Sequence, residues 1–159
     1  MLSKCIKFVF LFLLSGCVYS FSGYFPSRLK KVYVENFKNS TARYGIEDIL
    51  VEKFEELIRK DGRLMIVSLK EAKLIVRGEV LSYKREPFEY DASGNIKTYK
   101  VVISAKVSFY DVENQKDYVS GVFEGWGLYS IDEEENEGIK RASEDLVNKS
   151  LYKLLVGKW

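Results

Sequence analysis

Apolar positions in this chain keep two different periods. Between residues 46 and 58 they fall at Ile46, Ile49, Leu50, Phe54, Leu57 and Ile58. That three-and-four spacing makes one apolar stripe along a helix. Glu47 and Asp48 stand in its first turn, and Arg59 and Lys60 in its last, each sign matched to the helix dipole. Asp61-Gly62 stops it, with Gly62 available for a left-handed cap. A second stripe, Ile139, Ala142, Leu146, Leu151, Leu154 and Leu155, predicts a last helix, with Lys149 and Lys153 toward its end. The acidic run Asp132 to Glu135 ahead of it reads as acids at a helix N-terminus; the alternative is a cation-binding patch.

The other period is two. Tyr99, Val101, Ile103, Ala105, Val107 and Phe109 point one way, and Lys100, Val102, Ser104, Lys106 and Ser108 the other. This predicts a long strand with one buried face and a mostly polar outer face. Lys31 to Phe37 reads as a first strand and Leu64 to Val67 as a short one. Ser68 is placed to cap a brief turn from Leu69 to Lys73. Leu74 to Tyr83 is β-rich. Lys84 to Asn95 reads as a bend or loop, because Pro87 cannot donate to a ladder and Ser93-Gly94-Asn95 is turn chemistry. Glu113-Asn114-Gln115 is the expected hairpin tip. Asp117 to Leu128 is the return strand, whose Gly121, Gly125 and Gly127 predict bulges or close backbone contact. The order β-α-β-β-β-β-α predicts an α+β two-layer sandwich, with two amphipathic helices packed on one face of a mixed β-sheet. The other face and the edges stay open to a partner.

The first residues follow another pattern. Lys4 and Lys7 precede a short apolar run from Phe8 to Leu14, then Leu14-Ser15-Gly16-Cys17. A basic start, a brief apolar core and small residues before a cut form a secretory signal. The run is shorter than the roughly 20 residues a membrane span requires. A Cys directly after the small residues resembles a bacterial lipoprotein signal, in which Cys17 is acylated and becomes the first mature residue. The other reading is an ordinary signal with an incidental Cys. The domain plan is then residues 1–16 as a removed signal, 17–26 as a lipidated tether and 27–159 as one domain.

Removing the signal changes the charge balance. The chain has 25 basic and 23 acidic residues. Losing Lys4 and Lys7 leaves 23 of each, so no overall field draws the mature chain to nucleic acid. The 143 remaining residues suffice for one core. There is no His, and Cys5 leaves with the signal. That excludes a disulfide, zinc sites built on Cys and His, and Ser-His-Asp or Cys-His nucleophiles. Glu86, Glu89 and Asp91 remain as a carboxylate set of the kind glycan hydrolases use. They crowd one turn-rich segment and are better read as partners of Lys84 and Arg85. No cofactor is expected, and the chain reads as a non-enzyme.

Several segments together carry a resemblance. After Leu14-Ser15-Gly16-Cys17 come Val-Tyr-Ser-Phe-Ser-Gly23, Val-Tyr-Val-Glu-Asn-Phe37, Gly45-Ile-Glu-Asp48, Ile58-Arg-Lys-Asp-Gly-Arg63, Ser82-Tyr-Lys-Arg-Glu-Pro87 and Tyr90-Asp-Ala-Ser-Gly-Asn95. From Cys17 to about Leu155 this ordered set resembles the lipopolysaccharide-assembly lipoprotein family LptE. The resemblance implies a lipid-anchored protein at the inner leaflet of the outer membrane, facing the periplasm and a barrel lumen. It implies a partner, the LptD-type β-barrel, which such proteins plug and help assemble, and lipopolysaccharide as the transported ligand. The alternative is an accessory lipoprotein of a different envelope export system with a similar domain. On charge grounds the expected lipopolysaccharide contacts are Lys84, Arg85, Lys97, Lys100 and Lys106, with Phe88 and Tyr90 beside them for acyl or sugar surfaces.

Overall fold

The computed structural model describes residues 25–157. The signal segment, Cys17 and most of the tether therefore lie outside the described residues. A short turn at Ser27–Leu29 leads into β1 (Lys31–Val34), β2 (Lys38–Asn39), α1 (Ile46–Asp61), β3 (Met65–Ile66), β4 (Leu74–Tyr90), β5 (Ile96–Asp111), β6 (Lys116–Ser130) and α2 (Glu135–Leu155). The sheet runs β3-β1-β4-β5-β6, with β2 beside β4 beyond the end of β1. β1 is parallel to β3 and β4, and β2 is parallel to β4. β4, β5 and β6 form an antiparallel meander. The sheet is thus mixed, and the α+β expectation holds.

Both helices cover the same face. The α1 stripe buries Ile46, Leu50, Phe54, Leu57 and Ile58. Fully buried Phe54 stacks on Phe37 at 5.5 Å and meets Phe109 of β5 edge-on at 6.3 Å. Burying such a ring contributes about 1.5–3 kcal/mol. Gly62 takes the left-handed conformation and donates to the Ile58 carbonyl, as the cap requires. α2 lies across β5 and β6, burying Ile139, Ala142, Leu146, Leu151, Leu154 and Leu155. Gly125 and Gly127 let it approach: a Cβ on Gly125 would stand 2.1 Å from the Ala142 carbonyl oxygen, and one on Gly127 2.6 Å from that of Gly138. Close contact explains these two glycines; the register irregularity between β5 and β6 lies elsewhere, at Phe109/Tyr110.

Two expectations are corrected. Lys84 to Tyr90 is not a loop: β4 continues through it to Tyr90, and only residues 91–95 turn. Pro87 is tolerated because its outer edge has no partner. β1 and β2 flank β4 only as far as Val80, whose carbonyl accepts from the Ser40 N–H at 3.0 Å. Irregularities at Pro87/Glu89 and Glu89/Tyr90 absorb the rest. The turn after β3 is closed by the backbone carbonyl of Ser68, which accepts from Glu71 and Ala72, rather than by its hydroxyl. A further bulge at Leu81 shifts the alternation of β4, because Val80 opposes Ala105 while Ser82 opposes Ser104. Tyr83 and Arg85, opposite Ile103 and Val101, therefore lie on the helix face.

The outer edge of β6 is blunted by α2. Arg141 donates to the Leu128 carbonyl at 2.6 Å, Asp145 accepts from the Trp126 N–H at 3.1 Å, and Lys149 donates to the Glu124 carbonyl at 2.9 Å. Residues four apart on a helix share a face. One polar row thus satisfies groups that would otherwise template another strand.

Candidate functional site

The expected cations divide between the two faces of the β4–β5–β6 meander. Directly opposed residues share a face. Lys84, Val102 and Trp126 form one open-face row, and Glu86, Lys100 and Leu128 the next. Trp126 is 49% exposed, and the Lys100 ammonium stands 5.8 Å from its ring centroid. This is a modest cation–π contact. Lys84 and Lys100 therefore flank a small apolar patch. Lys106 lies six residues along β5 from Lys100, about 20 Å away. It lines a separate polar recess of about 420 Å³ together with Lys38, Arg77, Glu79 and Asp117. The Arg77–Asp117 ion pair at 3.1 Å closes one side of that recess.

Arg85 is on the helix face and its charge is already engaged. Its guanidinium lies 3.9 Å from the Tyr99 ring centroid and 3.5 Å from the Glu135 carboxylate. Tyr99 stacks on Tyr129 at 5.5 Å. Glu135 opens α2, accepts from the Tyr83 hydroxyl at 2.8 Å and pairs with Arg43 at 3.0 Å. Burial works to raise the Glu135 carboxyl, but the bonds from Tyr83 and Arg43 prevail and hold it below its usual range. Burial first, and then the bond to Glu135, pushes the Tyr83 phenol well up. Tyr129 is pushed up by burial, and its hydroxyl has no hydrogen-bond partner among the described residues. The cluster ties the segment before α1, strands β4 and β6 and the start of α2 together. Arg43, Tyr83 and Glu135 lie far apart in sequence with no shared pattern, and only the bulge at Leu81 brings Tyr83 and Arg85 to this side.

Lys97 is exposed near the start of β5, where its carbonyl accepts from Ile131 at 3.1 Å. Phe88 and Tyr90 are 49% and 60% exposed near the end of β4. Cys17 lies outside the described residues. The three carboxylates weighed for catalysis are spread along the strand end. Glu89 accepts from the Thr98 hydroxyl at 3.1 Å. Asp91 organises the turn, accepting from the Ser93 and Asn95 N–H groups and the Asn95 side chain; that side-chain bond, followed by the backbone ones, holds it below its usual range. In the acidic run, Glu133 pairs with Arg141 at 2.7 Å and Glu135 with Arg43, so the run is built into the start of α2. Among the described residues no group of three His, Cys, Asp or Glu is arranged to hold a metal, and no helix is long and apolar enough to cross a membrane.

On the helix side, α1 and α2 bound a groove of ≈ 660 Å³ whose floor includes Leu57, Leu151, Tyr152 and Leu155. It is remote from every expected cation.

The family model described as "LptE: Lipopolysaccharide-assembly" matches residues 29–155. No curated protein matches the chain. Among solved structures, a hypothetical protein from Chlamydia trachomatis is similar at a TM-score of 0.56 with 11% identity, over 78% of this chain and 94% of that one. The PelC dodecamer from Paraburkholderia phytofirmans is similar at 0.55 with 19% identity, over 84% and 95%. A protein from Xanthomonas campestris is similar at 0.51 with 12% identity, over 85% and 90%. These likenesses are of fold.

Proposed function

The chain belongs to the LptE family of lipopolysaccharide-assembly proteins, and from that premise we propose that it is the lipoprotein plug of an LptD-type β-barrel in the outer membrane. The observation that carries this reading is the family match, which runs through every strand and both helices. Cys17 is the lipidation site, and acylation there holds the domain at the inner leaflet. The open sheet face turns toward the barrel. Its rows Ser82–Ser104–Glu124 and Arg77–Ser108–Ser120 are polar, which suits the polar interior of an outer-membrane barrel.

Lipopolysaccharide contact is assigned to Lys84 and Lys100 beside Trp126. Ammonium groups meet phosphate through charge-assisted bonds, and the indole and Val102 offer apolar surface for an acyl chain. Arg85, held by Glu135 and Tyr99, positions the strand that carries Lys84; Lys97 and Lys106 lie to either side of that patch. No step of covalent chemistry is involved. Depleting the chain in the cell that carries it should lower the amount of correctly folded partner barrel and the lipopolysaccharide at the cell surface together. Normal barrel folding and normal surface lipopolysaccharide after depletion would contradict the proposal.

A further inference from the structure

The end of the sheet where the described chain begins has a composition of its own. The Met65 N–H donates to the Lys30 carbonyl at 2.7 Å, Lys73 to Lys31 at 2.9 Å, and Val112 to Lys73 at 3.1 Å. The Phe25 ring meets Tyr118 at 6.1 Å, so the chain enters the domain at this same end. Lys30, Lys31, Lys70, Lys73 and Lys116 are all exposed here. None has an acidic partner within 4 Å among the described residues, whereas Arg28 is taken up by Asp111 and Glu113. With Glu71 as the remaining acid, six cations stand against three acids; nearby Asp117 is held by Arg77. Between the lysines, Met65 is 60% exposed, Leu69 53% and Val112 37%. The opposite end is mixed in sign: Glu86, Glu89 and Asp91 stand beside Lys84, Arg85 and Lys97, and Glu133 and Glu135 are paired with Arg141 and Arg43.

We propose that this basic, apolar-studded end is a docking surface for an anionic lipid bilayer. Lysine ammoniums meet headgroup phosphates while Met65 and Leu69 enter the interfacial layer, the pairing of apolar insertion and polybasic attraction that holds peripheral proteins. The chain between residues 17 and 25 is eight residues long and reaches at most about 28 Å. β5 alone has 16 residues, roughly 50 Å of strand. An anchor at Cys17 therefore keeps the lysine end, and not the far end of the sheet, within reach of its leaflet. The inference holds whether or not a barrel partner is found.

The test uses the chain from residue 17 onward with Cys17→Ser, so that no acyl chain contributes. Its partition onto phosphatidylcholine vesicles is compared with that onto vesicles containing phosphatidylglycerol, at low and at high salt. Binding is expected only to the anionic vesicles and only at low salt. Lys31→Glu with Lys73→Glu should weaken it on the order of 10- to 100-fold, with an unchanged thermal melt because both side chains are exposed. Lys97→Glu with Lys140→Glu, at the other end and outside the Lys84–Lys100 patch, should leave it within about threefold. Equal binding to neutral vesicles, indifference to Lys31 and Lys73, or an equal loss from the Lys97 and Lys140 pair would each overturn the proposal.

Discussion

Gly125→Ala would put a methyl group into a close contact between α2 and β6. The new carbon would lie 2.1 Å from the Ala142 carbonyl oxygen, 2.5 Å from the Leu146 nitrogen and 2.7 Å from the Leu146 Cβ. Ordinary contact for such atoms begins near 3.4 Å, so α2 must retreat by about 1 Å or more. Two of the obstructing atoms are helix backbone, which no rotamer change can move aside. Retreat would loosen Leu146, Val147 and Ala142, all fully buried. Overpacking of a well-filled interface costs about 1–3 kcal/mol, and the stiffer unfolded chain returns about 0.4–1 kcal/mol. A net loss of about 1–2 kcal/mol is expected, a fall of roughly 3–8 °C in melting temperature for a domain of this size. Gly121→Ala is the internal control. It lies on the same strand, but its nearest neighbour is the flexible Lys153 ammonium at 3.4 Å, and it should stay within about 0.5 kcal/mol of the parent. Chemical denaturation of both variants measures the difference. A Gly125→Ala protein as stable as the parent, or a Gly121→Ala protein equally damaged, would refute the packing argument.

Asp111 is almost fully buried, pairs with Arg28 at 2.7 Å and accepts from Glu113, Asn114 and the Asn114 side chain. The Arg28 bond, chiefly, holds its carboxyl well below the usual range. Its contribution is therefore complete above the unfolded value near 3.8 and is lost as pH falls through the lower folded value. Asp111→Asn should remove about 2–3 kcal/mol at neutral pH and flatten the melting profile below about pH 4. Asp145→Ala frees the Trp126 N–H on the β6 edge; less than about 1 kcal/mol of stability should go, while light scattering should show self-association absent from the parent. Lys84→Glu with Lys100→Glu should weaken lipopolysaccharide binding in a salt-dependent way, and unchanged binding would remove both from the ligand surface. Cys17→Ser should release the protein from the membrane fraction of cells without changing the melt of the domain.

Much of this architecture was legible because its signals are local. The Ile46-to-Ile58 stripe, its terminal charges and Gly62 specify α1 within a single stretch of chain, and the two-residue period of Tyr99 to Phe109 specifies β5. The glycines of β6 announced close approach, although only the tertiary structure shows that Gly125 and Gly127 meet a helix while Gly121 does not. Pro87 misled for a physical reason. A proline argues against a strand only where its missing N–H would have had a partner, and β4 has none on that edge beyond Val80. The candidate site was half legible. Residue type alone pointed to Lys84, Arg85, Lys97, Lys100 and Lys106 without showing which of them share a face. The separation of Lys84 and Lys100 from Arg85 depends on one inserted residue at Leu81, which turns the alternation over, and a bulge leaves no periodic trace in sequence. Trp126 became part of the patch only through cross-strand register with Val102 and Lys84, and the Glu135 cluster joins segments more than 90 residues apart.

The barrel-plug reading is tested most directly by affinity capture of the tagged, lipidated protein from detergent-solubilised outer membrane, with captured partners identified by mass. The account predicts a large β-barrel protein recovered in near-stoichiometric amount. Recovery of the protein alone, or with components of a different exporter, would contradict it and make the accessory-lipoprotein alternative the leading one.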